Sequence, residues 1–217
     1  MAKKLPKPFE KMSMKEKYEH YKIKKIGYFD IETTNLDADF GFIISYCILV
    51  RDVQTGKTEM RQGIINKKDI DSSLRARHTN FDGRILKKWL KDIEDLDLMV
   101  GHYFNGWNKM DMPFVRTRLV INKISGLPIY KSKRFADTWK MSHLLYKISG
   151  YSLDKVGTIF GLSGVKTRVD GATWNLAKFG DKKALTYILD HNEKDVYLTY
   201  KVHKEMEAYM PIPSSYV

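Results

Sequence analysis

The chain has 217 residues, enough to bury the core of one sizeable domain, and 43% of them are hydrophobic, an ordinary share for a globular protein. Its formal net charge of +12 indicates a polyanionic partner or, alternatively, a surplus of charge that only serves solubility. The single cysteine, Cys47, excludes a disulfide framework and is typical of a reducing cytoplasm, and no apolar run approaches the roughly 18 residues of a membrane span.

Residues 1–22 form a basic leader that contains two prolines and lacks the apolar segment of a signal peptide. Its lysines could follow a phosphate backbone, or the leader could be a solvated arm or a short surface helix. The lysines concerned are Lys3, Lys4, Lys7, Lys11, Lys15 and Lys17. The leader is expected to precede one folded domain over residues 23–210 and a C-terminal tail over residues 211–217.

Residues 26–36 read IGYFDIETTNL, an apolar run that leads into two acids. In a strand, residues two apart point to the same face, so Asp30 and Glu32 should project together. Two neighbouring carboxylates repel each other unless a cation neutralises them, and hard divalent metals prefer oxygen ligands of this kind. The alternative is a solvated strand end with two surface acids.

The next segments predict a three-strand antiparallel meander. Residues 42–53 and 58–65 have strand patterns, and the turn residues 54–57 between them include Gly56. Residues 80–94 then show helical spacing of apolar side chains, with Asn80 or Asp82 available as the N-cap. A short buried strand is predicted over residues 96–100.

Residues 101–114 read GHYFNGWNKMDMPF and introduce a helix predicted to run to about residue 123. Asp111 precedes Met112-Pro113, and proline is favoured in the first turn of a helix. Asp111 is therefore either a helix N-cap or an acid that faces a cleft. Asn105 and Trp107 in the preceding loop could contact a ligand, or they could be turn and packing residues.

The last third of the chain predicts a strand over residues 134–139 and helices over residues 138–146, 152–160 and 181–209. Ser152 is placed to cap the second of these helices. Residues 165–180, which include Lys166, are predicted to be rich in loops. His191 and Asp195 are four apart and share one face of the last helix, which would also suit an ordinary i,i+4 pair.

Three of these segments together resemble the motifs of the DEDD superfamily of 3′–5′ exonucleases, whose fold is ribonuclease H-like. The segments are FDIETT, the run GHYFNGWNKMDMPF, and HNEKDV beginning at His191. The resemblance spans residues 26–205 and is strongest to the proofreading domains of family B DNA polymerases and related stand-alone nucleases. The stretch YSLDKVGTIFGLSGVK is similar to a passage that precedes the third motif in that branch. The implied fold is α/β, a mixed central sheet with the antiparallel meander plus parallel strands, flanked by helices.

The resemblance implies a metal-dependent enzyme that hydrolyses phosphodiester bonds from the 3′ end of single-stranded nucleic acid, with DNA favoured over RNA. Two Mg²⁺ or Mn²⁺ ions would be held by Asp30, Glu32, Asp111 and Asp195, and His191 would orient or deprotonate the attacking water. The implied substrate contacts are Thr33, Thr34, Leu36, Asn105, Trp107 and Lys166, with Leu36 as a wedge against the terminal base.

Two features depart from the family pattern. The branch with a general base four residues before the last acid normally has Tyr there, whereas this chain has His191. The other branch has His five residues before it, where this chain has Asp190. The second motif also has one more residue between Asn105 and Asp111 than the polymerase domains have.

Three alternatives stay open at this point: a structure-specific endonuclease, an RNA-processing nuclease of the same fold, and an inactive domain that binds nucleic acid. A proofreading role would require replication or repair proteins that act in trans, and no membrane association is expected.

Overall fold

The computed structural model describes residues 8–77, 79–105, 110–126, 134–162 and 169–209. Within them the chain forms a five-stranded sheet in the order β3-β2-β1-β4-β5. The strands are β1 Lys25–Thr33, β2 Ile43–Asp52, β3 Thr58–Ile64, β4 Leu98–Gly101 and β5 Arg134–Asp137. The first three strands pair antiparallel, and β4 and β5 run parallel to β1. The predicted mixed α/β sheet is therefore confirmed.

Eight α-helices flank this sheet in the described ranges. They are α1 Met14–His20, α2 Lys67–Arg75, α3 Gly83–Asp92, α4 Asp111–Ile121, α5 Thr138–Leu145, α6 Leu153–Ile159, α7 Gly171–Lys178 and α8 Lys182–Met206. None of these helices combines the length and the apolar character that crossing a bilayer requires.

Two of the helices were not predicted. The helix α2 follows a capping box in which Asn66 and Asp69 bond reciprocally to each other's backbone N–H. The helix α7 lies in the passage predicted to be loop-rich, and it begins where the side chain of Asp170 accepts from the N–H of Thr173. Both helices begin with ordinary capping residues, so the capping pattern in the sequence could have been used to predict them.

The predicted caps have mixed outcomes. Ser152 caps α6 as expected, because its side chain accepts from the N–H of Lys155. Asp82 occupies the N-cap position of α3 but makes no capping bond. Its buried carboxylate instead lies 2.9 Å from Nε of Arg118 and accepts from the N–H of Ile43. The acid therefore ties α3 to α4 and to the sheet.

Each face of the sheet has its own hydrophobic cluster, and α8 takes part in both. One cluster joins Phe29 and Ile31 of β1 to side chains of α3, α4 and the start of α8. The other joins Ile26 and Tyr28 to α1 and to Val196 of α8. Alternate residues of β1 thus pack on opposite faces, as the period of a strand requires.

The second half of the leader is folded onto the sheet. The helix α1 begins with a capping box between Ser13 and Glu16, and Tyr18 is only 1% exposed. The hydroxyl of Tyr18 donates to Oε2 of Glu207, at a distance of 2.7 Å. Of the six leader lysines, Lys3, Lys4 and Lys7 lie outside the described residues.

A buried polar network beneath α1 links this helix to the end of α8. Nη1 of Arg51 lies 3.0 Å from Oε2 of Glu207, and the hydroxyl of Tyr28 lies 3.2 Å from Nδ1 of His203. Burial lowers the pKa of His203 to about 4. Burial acts to raise the pKa of Glu207, but hydrogen bonds from Lys204 and from the α1 tyrosine lower it below its ordinary value.

We expect this network to make the protein less stable as the pH falls from about 6.5 to about 4. In that window the unfolded chain binds a proton at His203 that the folded chain does not. The free energy of unfolding therefore decreases as the pH is lowered. The lowered pKa of Glu207 acts in the same direction at lower pH. His203 contributes on the order of 3 kcal/mol to the free energy of unfolding at neutral pH.

Urea denaturation at pH 7 and at pH 4.5 measures this loss of stability. Between these two pH values, His203→Gln should lose clearly less stability than the parent. Equal losses in both proteins would contradict the assignment.

Candidate active site

The strand β1 supplies two acids at its C-terminal end. Asp30 and Glu32 are half-buried and lie opposite Cys47 and Ser45 of β2. The register with β2 shifts between Glu32 and Thr33, an irregularity that commonly re-aims side chains next to functional sites. Cys47 of β2 is a free and buried thiol.

The helix α8 brings an imidazole and a third acid to these carboxylates. Nε2 of His191 lies 3.5 Å from Oε1 of Glu32 and 3.9 Å from Oδ2 of Asp195. One ligand atom from each of these three residues lies within 4.8 Å of the others. The two α8 residues, spaced i,i+4, therefore form a cluster with Glu32 of β1.

Asn192 also contacts the site, although it was not among the predicted site residues. Its Nδ2 donates to Oδ2 of Asp30 at 3.1 Å, and the side chain is fully buried. A sequence signal for it did exist, because Asn192 is a polar residue between Ile188 and Val196 on the apolar stripe of α8.

The helix α4 contributes Asp111 as its first residue. The N-cap position belongs to Met110, and the side chain of Asp111 is buried, with 5% of the residue exposed. Burial raises the pKa of Asp111 well above its ordinary value, and the charges of Asp30, Glu32 and Asp137 raise it further. The carboxyl thus lies within electrostatic range of the other acids.

Asp137 is a second site residue that the sequence did not reveal. Its carboxylate, at the end of β5, accepts from the backbone N–H groups of Tyr103, Phe104 and Trp139, at 3.0, 3.2 and 2.9 Å. Tyr103 has a φ of 61°, a left-handed conformation that costs energy for a bulky residue. The three accepted bonds hold this turn beside Asp111.

A cleft of about 340 Å³ opens beside the acids. It is lined by Asp30, Asp195, His102, Tyr103, Trp139 and Tyr151. The rings of Tyr103 and Trp139 meet edge to face with centroids 5.3 Å apart, and the contact continues through His143 to Tyr151. The cleft thus combines carboxylates with an aromatic wall formed by Tyr103, Trp139 and Tyr151.

Of the other predicted contact residues, four lie in the described ranges, and none of these four lines the cleft. Thr33 donates to the carbonyl of Asn35, and the hydroxyl of Thr34 accepts from the N–H of Phe42, so both organise the loop after β1. Leu36 on that loop is 78% exposed. Oδ1 of Asn105 accepts from Nη1 of Arg116. Trp107 and Lys166 lie outside the described residues.

The chemistry of the donor set fits a divalent cation. Carboxylates are the oxygen ligands that Mg²⁺ and Mn²⁺ prefer, and an imidazole is compatible with Mn²⁺. Burial is the main cause of the raised pKa of Asp111, and the negative charges of the neighbouring acids, which a bound cation would neutralise, raise it further. Glu32, His191 and Asp195 are close enough together to share one ion.

We expect Asp111→Asn to stabilise the metal-free protein at neutral pH. Because the folded-state pKa of Asp111 is raised, its carboxyl contributes stability that is lost as the pH rises through that pKa. A neutral amide avoids this loss, so in EDTA at pH 7 the Tm should rise by a few degrees, since 1 kcal/mol corresponds to about 2–4 °C at this size. The gain should shrink as the pH falls toward about 4.

The same melts give the metal response. Mg²⁺ or Mn²⁺ should raise the Tm of the parent by binding the folded state, and should raise that of Asp111→Asn less. Equal melting temperatures of both proteins in EDTA, together with an equal response to metal, would place Asp111 outside the site.

A family model described as the RNase H superfamily matches residues 27–207. This match begins in β1, ends after α8 and includes every residue of the acid and imidazole cluster. Comparison with curated proteins gives no match.

Proposed function

This chain belongs to the RNase H superfamily, and on that premise we propose that it is a metal-dependent 3′–5′ exonuclease that acts on single-stranded nucleic acid, with DNA preferred over RNA. The observation that carries the proposal is that three elements bring acids close together, two of which, Asp30 and Asp195, line the cleft. The strand β1 supplies Asp30 and Glu32, α4 supplies Asp111, and α8 supplies His191 and Asp195. Superfamily membership alone supports the assignment as a metal-dependent nuclease. The order and spacing of these residues are the argument for the narrower assignment as a 3′–5′ exonuclease.

Asp30, Glu32, Asp111 and Asp195 would hold two Mg²⁺ or Mn²⁺ ions. When bound, such ions activate a water and stabilise the leaving oxygen of a phosphodiester. The protein positions its own groups for this purpose. Asn192 fixes the orientation of Asp30 through the bond of 3.1 Å, and packing on both faces of the sheet fixes β1.

The proposed role of His191 is to orient the attacking water or to take its proton. Its Nε2 lies between carboxylate oxygens of Glu32 and Asp195 and can accept a proton from a water held there. A free imidazole titrates near pH 6.5, so this type of side chain can serve as a base close to neutrality.

The aromatic lining of the cleft is an argument for the proposed single-stranded substrate. The aromatic wall formed by Tyr103, Trp139 and Tyr151 offers surfaces on which a base can stack without sequence preference. Leu36 lies exposed on the loop that follows the β1 acids and is proposed as the wedge against the terminal base. Thr33, Thr34, Asn105, Trp107 and Lys166 complete the proposed substrate contacts.

The test is a cleavage assay with 5′-labelled single-stranded DNA and RNA in Mg²⁺ or Mn²⁺. We expect the DNA to shorten one nucleotide at a time and to give a regular ladder, whereas closed circular single strands should survive. Cleavage of the circles would support the endonuclease instead. Faster shortening of RNA would support a processing nuclease, and binding without any cleavage would support an inactive domain.

A further inference from the structure

A second cavity, away from the candidate active site, lies between α3 and the C-terminal end of α4. Its volume is about 470 Å³, within the range of ligand-binding pockets and far larger than one phosphate group requires. The polar side chains that line it are Asn80, Arg84, Lys87, Lys88, Lys91 and Asn122. Four of the six are cationic and come from one helix, α3. We call this space the basic cavity.

The charge of the basic cavity is only partly compensated. Arg84 pairs with Asp69 at 2.7 Å, and Lys88 pairs with Asp92 at 2.6 Å. Lys87 and Lys91 are exposed, and neither forms an ion pair with any residue in the described ranges. They lie four residues apart, so both ammonium groups can serve one face of α3. The cavity therefore keeps positive charge available for an anion.

The helix α4 connects the basic cavity to the candidate active site. It begins at Asp111 among the acids and ends at Ile121, and the next residue, Asn122, lines the cavity. Its 11 residues span about 16 Å at 1.5 Å per residue.

We propose that the basic cavity binds the phosphodiester backbone of the substrate strand several nucleotides to the 5′ side of the bond that is cut. This inference rests on the proposed function. A distance of about 16 Å corresponds to about five nucleotides at 3.4 Å per nucleotide, whereas three nucleotides at that spacing span only about 10 Å. Lysines act as flexible point charges that hold phosphates and do not read bases, so the site would contribute affinity without sequence preference.

The experiment measures binding without cleavage. Fluorescence anisotropy in EDTA gives the affinity for labelled single-stranded DNA of 12 and of 3 nucleotides, at several salt concentrations. For the 12-mer, Lys87→Gln/Lys91→Gln should weaken binding and flatten the slope of log K against log salt by about 1.4, because each lost phosphate contact accounts for about 0.7. Binding of the 3-mer, which cannot reach the cavity from the cleft, should be unchanged.

The matched control is Lys182→Gln/Lys183→Gln, which removes the same charge from exposed positions of α8 that do not line the cavity. It should leave the slope within error of that of the parent. The inference is overturned if the α3 double variant binds the 12-mer like the parent. It is also overturned if that variant loses as much affinity for the 3-mer, or if the control loses as much affinity for the 12-mer. Failure of the proposed function is a separate outcome, because it appears as a parent protein that does not shorten the 12-mer when metal is added.

Discussion

Asp30→Asn and Asp195→Asn should each reduce the rate of cleavage at least about 10³-fold. Metal-ion catalysis contributes several kcal/mol of charge stabilisation in the transition state, and each 1.36 kcal/mol corresponds to a factor of ten. Asparagine is the sharper substitution, since its carbonyl can still accept the bond from Asn192 to position 30. Initial rates on a labelled single strand, measured over a range of Mg²⁺ and Mn²⁺ concentrations, give the effect.

Asp190→Asn is the matched control for the α8 variant. Asp190 lies one residue before His191, is exposed and pairs with Lys194, so it should be dispensable for cleavage. Thermal melts of Asp30→Asn and Asp195→Asn should stay close to that of the parent, because removing one acid lessens repulsion in the metal-free site. Normal cleavage by Asp30→Asn in Mn²⁺ would show that the site assignment is wrong.

Local spacing predicted the parts of the site that lie within single elements. The i,i+2 pair Asp30 and Glu32 requires only that β1 is a strand, and the apolar run before it made that clear. The i,i+4 pair His191 and Asp195 requires only that α8 is a helix, which its apolar stripe predicted over almost the whole length. Both patterns depend on chain geometry that the sequence determines directly.

The contacts between elements could not be predicted in the same way. Asn192 contacts Asp30 across 162 positions of the chain, and nothing in the local pattern at either residue specifies the other. Asp137 has the sequence context of an ordinary strand end. Its role appears only when β5 pairs with β4 and presents the carboxylate to the backbone of Tyr103 and Phe104. Packing, not propensity, decides these partners.

The missed helices have a different cause. The capping residues of α2 and α7 were visible in the sequence, but both helices are short and mostly exposed, so their apolar spacing is a weak signal. The basic cavity could not be predicted from the sequence either. In the sequence alone, the cations of α3 have the pattern of the solvated face of an amphipathic helix. Only the folded structure shows that the residues after α4 form the other side of a cavity.

His191→Ala should lower turnover about 10²–10⁴-fold, the usual range for a general acid or base. Substrate affinity should change little, since the four carboxylates remain. The position of Nε2 near Glu32 and Asp195 also permits a direct ligand role, and the two roles differ in their dependence on metal. Loss of a base lowers the rate at saturating metal. Loss of a ligand raises the metal concentration needed for half of the maximal rate, and saturating metal then restores turnover.

His191→Tyr separates these two roles further. In the polymerase-like branch of the DEDD family, tyrosine normally occupies the position four residues before the last acid. If the residue orients or deprotonates the water, the phenol should retain much more activity than alanine, and the rate should depend on pH differently from that of the parent. Turnover is measured at saturating Mn²⁺ across pH 6 to 9 for the parent and both variants. If alanine and tyrosine both behave like the parent, His191 takes no part in the reaction, and the carboxylates with their bound ions would account for the activation of water.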